Sequence, residues 1–153
     1  MNHVKILFIC HGNICRSPMA EFVMKHMVRE EGLEKNFYIA SAATSREEIG
    51  NDIHYGTRAK LREEGIPFAR RQAVQLRLED YEKYDYLIAM DRNNLRNIQR
   101  IIGEDPAGKV RLLLEFAGEY RDIADPWYTG NFDETYDDVT KGCEALLREI
   151  RSF

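Results

Sequence analysis

The chain has 153 residues, of which 44% are hydrophobic and 31% charged, and its net charge at pH 7 is −4. This length and composition suit a globular protein, so we expect residues 1–153 to form a single domain. The acidic balance argues against a nucleic-acid partner, since such proteins usually carry a basic surplus. The longest apolar run, Ile6–Cys10, is too short to cross a membrane and no signal segment is evident, which predicts a cytoplasmic location without membrane attachment.

The first predicted elements are a strand followed by a helix. His3–Ile9 is rich in Val, Ile and Leu, a composition typical of a buried strand. Ser17 suits the N-cap of the next helix and Pro18 suits its first position. Apolar residues at helical spacing follow, and the helix is expected to end near Gly32.

The rest of the chain continues this alternation. Strands are predicted at Phe37–Ala43, Tyr86–Met90 and Lys109–Leu114, and helices at Asp52–Glu64, at Asn93–Ile102 with Asp91 as the cap, and at Glu134–Arg151, after a polar loop from about Gly118 to Phe132. Strands that alternate with helices predict an α/β fold with a parallel sheet and right-handed crossovers. Ligands bind at the carboxyl ends of strands in such sheets, so the segment that leaves the first strand is expected to hold the site.

That segment, Cys10–Pro18, carries the strongest chemical signal. A cysteine and an arginine six positions apart, with small residues between them, can close a loop around a tetrahedral oxyanion. Backbone N–H groups of the loop and the N-terminus of the following helix supply positive potential. The same potential favours the thiolate form of Cys10 at the floor of the anion cradle. The pattern predicts attack by sulfur on phosphorus.

The three cysteines do not suggest structural disulfides, because their number is odd and no secretory context is evident. Cys10 and Cys15 could form half of a zinc site, but no histidine stands at ligand spacing from them, so no metal is expected. Cys143 lies alone on the last predicted helix, where a packing role is expected.

The motif C-x5-R-S-P after an N-terminal strand, together with Asp125-Pro126 in a late loop, resembles the low-molecular-weight protein tyrosine phosphatases. The similarity spans nearly the whole chain and includes Ser41-Ala42-Ala43, Ala89-Met90-Asp91 and Trp127-Tyr128. The resemblance implies a Rossmann-like domain with a four-stranded parallel sheet, helices on both faces and a phosphate-binding loop after the first strand. It also implies a cofactor-independent hydrolase that acts on phosphotyrosine and small aryl phosphates.

The resemblance assigns a role to each site residue. Cys10 is the expected nucleophile, which forms a phosphocysteine, and Arg16 is the expected clamp on two phosphoryl oxygens. Asp125 is expected to protonate the leaving phenolate and then to activate water. Ser17 is expected to donate a hydrogen bond to the Cys10 thiolate, and Asn13 to adopt a left-handed turn. The expected phosphate-binding loop consists of His11, Gly12, Asn13, Ile14, Cys15 and Ser17.

The rim of the site differs at one position from the pattern that the resemblance implies. Trp127 and Tyr128 are expected to form an aromatic wall against the substrate ring. Glu47 stands about where many relatives carry an aromatic residue that forms the opposite wall. Its charge would disfavour acidic peptides, and an ordinary solvated charge run is the alternative interpretation.

Two further positions leave alternatives open. Cys15 is either a small loop residue or the partner of a reversible disulfide with Cys10, and the resemblance favours the second. Relatives often place a histidine shortly before the segment that contains Ala73, where it braces the loop asparagine. This chain has Arg70 and Arg71 there, so the brace is either absent or replaced.

Three other functions compete with the phosphotyrosine hypothesis. Arsenate reduction on the same fold needs relay cysteines, and residues 77–90 contain none. Protein-arginine phosphatases favour a threonine where this chain has Ile14, which favours phosphotyrosine here. A non-catalytic phosphate-binding module would be expected to lose Cys10 or Asp125, and both are present. The expected partner is therefore a phosphotyrosine-containing protein, such as a bacterial tyrosine kinase.

Overall fold

A computed structural model describes residues 3–152 and contains one four-stranded sheet. The strands lie in the order β2-β1-β3-β4, and each adjacent pair is parallel. They are Val4–Cys10 (β1), Phe37–Ala43 (β2), Tyr86–Ala89 (β3) and Val110–Leu112 (β4). The helices are Arg16–Glu30 (α1), Tyr55–Glu63 (α2), Asp80–Lys83 (α3), Arg92–Ile102 (α4), Pro126–Thr129 (α5) and Phe132–Arg151 (α6). The predicted parallel sheet is confirmed; residues 1, 2 and 153 of the expected domain lie outside the described range.

Alternation along β1 divides the core into two apolar layers. Ile6 and Phe8 pack into a cluster with residues of α1 and α6 on one face of the sheet. Leu7 and Ile9 point to the other face, where residues of α3 and α4 cover them. Because both faces are buried, β1 reads as a continuous apolar run. Helices on both faces, as expected, leave the carboxyl end of β1 as the open edge at which a site can form.

The start of α1 differs from the prediction. The helix begins at Arg16, with Cys15 at the N-cap position, so the prediction that Ser17 is the N-cap is wrong. The Ser17 hydroxyl lies within hydrogen-bonding distance of Cys10 and Asn13 instead of capping the helix. Pro18 is therefore the third helical residue, which is tolerated because amides of the first turn have no partner within the helix.

The start of α2 also differs from the prediction. The helix begins at Tyr55 rather than at Asp52, and the His54 Nδ1 caps it by accepting a hydrogen bond from the amide of Gly56 at 3.0 Å. Asp52 stays outside the helix because its carboxylate accepts hydrogen bonds from the amides of Ile53 and Arg71. That contact ties the loop before α2 to the segment that follows it.

The later elements match the prediction in type and differ in extent. Asp91 caps α4 in a capping box with Asn94, as expected. β4 ends at Leu112 because the chain turns there into a 3-10 helix, so the predicted strand was two residues too long at that end. α6 begins at Phe132, two residues before its predicted start, and Asn131 caps it. The short helices α3 and α5 were not predicted.

The longest helix, α6, packs along α1 and against the 3-10 helix that follows β4, and its apolar residues join the cluster on that side of the sheet. Val139, Cys143 and Leu146 are fully buried on its inner side, which confirms the packing role expected for Cys143. Gly142 lies close to Leu113, so that a Cβ at this position would come within 2.4 Å of the leucine Cγ. None of the helices in residues 3–152 has the length and apolar character to cross a membrane.

Candidate active site

The loop between β1 and α1 surrounds the Cys10 thiol with hydrogen-bond donors. Cys10 is the last residue of β1 and is 3% exposed. The amide of Asn13 donates to its Sγ at 3.3 Å, and the Ser17 hydroxyl lies 3.0 Å from the same sulfur. Asn13 has φ of 60°, which is the left-handed turn predicted for it. This turn directs the Asn13 amide at the sulfur.

The Asn13 side chain determines which way the Ser17 hydroxyl points. Its Nδ2 donates to the Ser17 Oγ at 2.7 Å and to the Ser41 Oγ at 2.9 Å. Because the Ser17 oxygen accepts this bond, its own hydrogen is free to point at Cys10. Ser41 in turn donates to the buried Glu21 carboxylate at 2.6 Å, and Lys25 pairs with Glu21. The network therefore leaves both the Asn13 amide and the Ser17 hydroxyl directed at the Cys10 sulfur.

Arg16, the first residue of α1, is held in place by three acceptors. Its side chain is 3% exposed, and Nη1 donates to the Asp91 Oδ2 at 2.7 Å and to the Ile123 carbonyl oxygen at 2.9 Å. Nη2 lies 3.4 Å from the Asp125 Oδ2. Burial acts to lower the pKa of Arg16, but the negative charges of Cys10, Asp125 and Asp91 outweigh it and raise that pKa. The guanidinium is therefore a permanent cation oriented beside the thiol.

Asp125 stands directly before α5 and serves as its N-cap. Its Oδ1 accepts a hydrogen bond from the amide of Trp127 at 3.0 Å, which leaves Oδ2 directed toward Arg16. Pro126 at the first helical position restricts the backbone on the other side. The carboxylate is thus held over the pocket that Cys10 and Arg16 line.

Aromatic and acidic side chains both line the pocket. Trp127 and Tyr128 are more than half exposed. Glu47 also lines the pocket, and its carboxylate lies 2.9 Å from the His11 ring nitrogen. The complete lining consists of Cys10, His11, Gly12, Ile14, Cys15, Arg16, Glu47, Glu48, Asp125, Trp127 and Tyr128. Position 47 therefore contributes a charged rather than an aromatic side chain to the lining.

The two cysteines of the loop have different environments. Burial, with the nearby Cys10 and Asp125, raises the pKa of Cys15 to about 12. Its thiol is therefore protonated near neutral pH and is a poor nucleophile. Cys10 instead receives hydrogen bonds directed at its sulfur, so the geometry distinguishes the reactive thiol from its neighbour.

The arrangement can bind a tetrahedral dianion and transfer its central atom to sulfur. The α1 N-terminus and Arg16 supply positive charge, and Cys10 and Asp125 contribute a thiol and a carboxyl group to the lining of the same pocket. No three His, Cys, Asp or Glu side chains within the described residues are grouped so that they could hold a metal ion.

The structure brings into one pocket every predicted site residue except Asn13 and Ser17, which bond to Cys10 from below the lining. Sequence reasoning missed the second role of Asp91, which was predicted only as a helix cap and also binds Arg16. It also left open what holds Asn13, a function to which Arg71 and the amide of Val74 contribute. The only signal for Arg71 was an arginine where relatives carry a histidine.

Comparison with known proteins gives a consistent result. Residues 5–152 match the family model described as low molecular weight phosphotyrosine protein phosphatase. Over 150 residues the chain is 39% identical to the low molecular weight protein-tyrosine-phosphatase YfkJ of Bacillus subtilis, an alignment that covers 97% of this chain and 96% of the relative. It is 35% identical over 151 residues to the human low molecular weight phosphotyrosine protein phosphatase, covering 94% of each.

Solved structures agree with these sequence matches. The crystal structure of YfkJ superposes with a TM-score of 0.94 at 38% identity, covering 99% of this chain and 97% of that chain. The crystal structure of a Drosophila arginine phosphatase superposes with a TM-score of 0.86 at 28% identity, covering 96% of this chain and 98% of that chain.

Proposed function

Because the chain belongs to the low molecular weight phosphotyrosine protein phosphatases, we propose that Cys10, Arg16 and Asp125 carry out the hydrolysis of phosphotyrosine in this protein. The observation that supports these roles best is the hydrogen bonding at Cys10. Its sulfur accepts a hydrogen bond from the Asn13 amide and lies within hydrogen-bonding distance of the Ser17 hydroxyl. A buried arginine and a carboxylate line the same pocket.

In the first step, the Cys10 thiolate attacks phosphorus and forms the S–P bond while the bond to the tyrosine oxygen breaks. Asp125 donates its proton to the departing phenolate, whose conjugate acid has a pKa of about 10, so protonation assists departure. Arg16 and the loop amides bind the equatorial oxygens as their charge is redistributed. The products are free tyrosine side chain and phosphocysteine.

In the second step, water attacks the phosphocysteine. The Asp125 carboxylate takes a proton from that water, the S–P bond breaks, and Cys10 leaves as a thiolate. A hydrogen bond from the Ser17 hydroxyl stabilises that leaving thiolate, as it stabilised the nucleophile in the first step. Inorganic phosphate is released, and the enzyme returns to its starting state.

The rim supports a phosphotyrosine-containing protein as the substrate. Trp127 and Tyr128 offer aromatic surface next to the pocket, against which a phenol ring packs favourably. Glu47 adds negative charge at the mouth, so peptides with acidic residues beside the phosphotyrosine are expected to bind less well. The proposed partner is a cytoplasmic tyrosine kinase of a bacterial cell, and no nucleic-acid partner is proposed.

The main competing function is hydrolysis of phosphoarginine, which the similarity to the Drosophila arginine phosphatase makes worth testing. Ile14 is buried and lines the pocket, where its bulk would crowd a planar guanidinium. The discriminating experiment compares kcat/KM for phosphotyrosine and phosphoarginine peptides in the wild type and in Ile14→Thr. We expect the wild type to have the higher kcat/KM for the phosphotyrosine peptide, and Ile14→Thr to have a higher kcat/KM for the phosphoarginine peptide than the wild type. A wild-type preference for phosphoarginine would overturn the proposal.

Cys15 is proposed to protect the nucleophile reversibly. Peroxide would oxidise the Cys10 thiolate to a sulfenic acid, which then condenses with the Cys15 thiol to form a disulfide and release water. Without Cys15, a second equivalent of peroxide oxidises the sulfenic acid to a sulfinic acid, which dithiothreitol does not reduce. After treatment with excess peroxide, dithiothreitol should therefore restore more activity to the wild type than to Cys15→Ser. Equal recovery of both proteins would count against this role.

A further inference from the structure

His54, the N-cap of α2, connects the phosphate-binding loop to the segment that carries the proposed acid. Its amide donates to the Ile14 carbonyl oxygen at 2.9 Å, and the Thr57 hydroxyl of α2 donates to the Cys15 carbonyl oxygen at 3.1 Å. These two bonds fasten the start of α2 to the loop that surrounds Cys10. The His54 side chain therefore stands on a platform that is fixed relative to the nucleophile.

The orientation of the His54 ring is determined by its own contacts. Nδ1 accepts a hydrogen bond from the Gly56 amide at 3.0 Å, and the ring stacks on Phe132 with centroids 5.5 Å apart and planes inclined by 18°. Phe132 in turn packs against the buried cluster that contains Ile14 and Cys15. The ring plane is thus set by contacts that lead back to the phosphate-binding loop.

The His54 ring is uncharged near neutral pH. Burial and the charge of Arg58 lower the pKa of His54, and together they outweigh Glu48 and Asp125, which act to raise it. The bond from the Gly56 amide requires an unprotonated Nδ1, in agreement with this direction. The side chain therefore packs as a neutral aromatic ring. Phenylalanine can reproduce that packing but cannot accept the hydrogen bond.

The same ring contacts the side chain of Trp127. The two ring centroids lie 5.5 Å apart with planes inclined by 73°, which is the edge-to-face arrangement that aromatic pairs favour. Trp127 follows Asp125 by two residues, and its amide donates to the Asp125 Oδ1 at 3.0 Å. A contact that holds the Trp127 side chain therefore also helps to hold the Asp125 carboxylate.

Other contacts hold the chain before Asp125 rather than after it. The Ile123 amide donates to the Met90 carbonyl oxygen at 2.9 Å, and the Thr135 hydroxyl donates to the Ala124 carbonyl oxygen at 3.0 Å. The four-residue helix α5 follows Asp125, and its two aromatic side chains are more than half exposed. Among the ring pairs within residues 3–152, the pair with His54 is the one that restrains this helix.

We propose that His54 is a positioning residue for the acid step, which holds the Trp127 ring and thereby keeps the Asp125 carboxyl group where it can protonate the leaving oxygen. The proposal rests on the proposed role of Asp125 as the general acid. Because Asp125 keeps its contact with Arg16 at 3.4 Å, loss of the His54 ring should displace the carboxyl group for part of the time only. An aromatic contact of this kind shifts such an equilibrium about 3- to 10-fold.

The test uses two substitutions that separate the cap from the ring. His54→Asn keeps a residue that caps helices well and removes the ring, whereas His54→Phe keeps a ring and removes the cap. The measured quantity is the ratio of kcat/KM for nitrophenyl phosphate to kcat/KM for phenyl phosphate, because departure of phenol needs the proton more. A smaller folded fraction lowers both values equally and leaves the ratio unchanged.

We expect His54→Asn to raise this ratio about 3- to 10-fold. His54→Phe should keep the ratio near that of the wild type while its urea midpoint falls, because the helix cap is lost. His26→Asn is the matched control, since His26 lies on α1 and is not part of the pocket lining, and it should leave the ratio unchanged.

Fluorescence reports on the contact without turnover. Trp127 is the sole tryptophan of the chain, so quenching by acrylamide measures the accessibility of this one side chain. Quenching should increase in His54→Asn and stay near the wild-type level in His54→Phe and His26→Asn. A role in capping alone would give the opposite order, with the larger change in His54→Phe.

A ratio in His54→Asn equal to that of His26→Asn, or a larger rise in His54→Phe than in His54→Asn, would overturn the proposal. If a His54 variant does not fold, Trp127→Ala decides, since it removes the exposed partner of the same contact and should raise the ratio to the same extent; an unchanged ratio would overturn the proposal. Failure of the proposed acid is distinguishable, because Asp125→Asn would then leave the ratio unchanged as well and the role of His54 would fall with it.

Discussion

The carboxylate of Asp91 performs two tasks with its two oxygens, and a pair of substitutions separates them. Oδ1 caps α4 by accepting a hydrogen bond from the amide of Asn94 at 2.7 Å, whereas Oδ2 accepts from Arg16 at 2.7 Å. Asparagine caps a helix as well as aspartate does, so Asp91→Asn should preserve the cap and remove only the ion pair. The amide nitrogen would then face the guanidinium, donor against donor.

The magnitude follows from the burial of the pair, whose side chains are 3% exposed for Arg16 and 16% exposed for Asp91. Removal of one partner from a buried ion pair costs about 3–5 kcal/mol. Because Arg16 keeps the Ile123 carbonyl and Asp125, we expect the lower end, about 3 kcal/mol, for Asp91→Asn. Asp91→Ala also loses the cap, which adds about 1 kcal/mol.

Urea unfolding measures the loss of stability in each variant, and turnover of an aryl phosphate measures how far the phosphate-binding role of Arg16 is impaired. Asp122→Asn is the matched control, since Asp122 pairs with Arg92 at the surface and its loss should cost no more than about 1 kcal/mol. A displaced Arg16 should lower kcat/KM of Asp91→Asn about 100-fold. If Asp91→Asn loses no more stability than Asp122→Asn and keeps its activity, the assigned role of the ion pair is wrong.

Three further predictions concern other parts of the molecule. Asp125→Asn should lower kcat/KM about 100- to 1,000-fold for phenyl phosphate and less for nitrophenyl phosphate, whose leaving group needs less protonation; an equal loss of kcat/KM on both would contradict acid catalysis. Gly142→Ala should destabilise the protein by about 1–3 kcal/mol in urea unfolding, despite the higher helix propensity of alanine, because its Cβ would overlap Leu113; a gain in stability would refute this contact. Although burial acts to raise it, the pKa of Asp105 is lowered by hydrogen bonds from the Tyr81 hydroxyl and from backbone amides, so the stability it contributes is present above about pH 4 and is lost as pH falls through the folded-state pKa. As pH falls from about 5 to about 3, roughly one pH unit either side of the ordinary aspartate pKa, the free energy of unfolding should therefore fall less for Asp105→Asn than for the wild type. Parallel losses in the two proteins would exclude this linkage.

The parts of the fold that could be predicted depend on local sequence. Strand β1 and the motif that follows it lie within one short segment, so residue types and spacing were enough to predict an anion cradle with Cys10 at its base. The Asp91 cap was also predictable, since a capping box joins residues three positions apart. The same local reasoning failed for Ser17, because its hydroxyl is bound within the loop rather than to the helix N-terminus.

The contacts that could not be predicted join distant parts of the chain. Arg16 meets Asp91 across 75 positions, and Arg71 meets Asn13 across 58. Neither separation leaves a periodic signal, because each contact depends on how the sheet edge gathers several loops. β4 was predicted too long for a similar reason: its apolar residues continue into the 3-10 helix, where they are buried against α6.

The covalent intermediate provides the most direct test of the proposed mechanism. Nitrophenyl phosphate is mixed with the enzyme, the reaction is quenched in acid within milliseconds, and the peptide that contains Cys10 is analysed by mass spectrometry. Asp125→Asn should accumulate more intermediate than the wild type, because it lacks the base that activates water in the second step. We expect one phosphoryl group on Cys10 in both proteins and none in Cys10→Ser. Turnover without an adduct, or an adduct on another residue, would contradict the account.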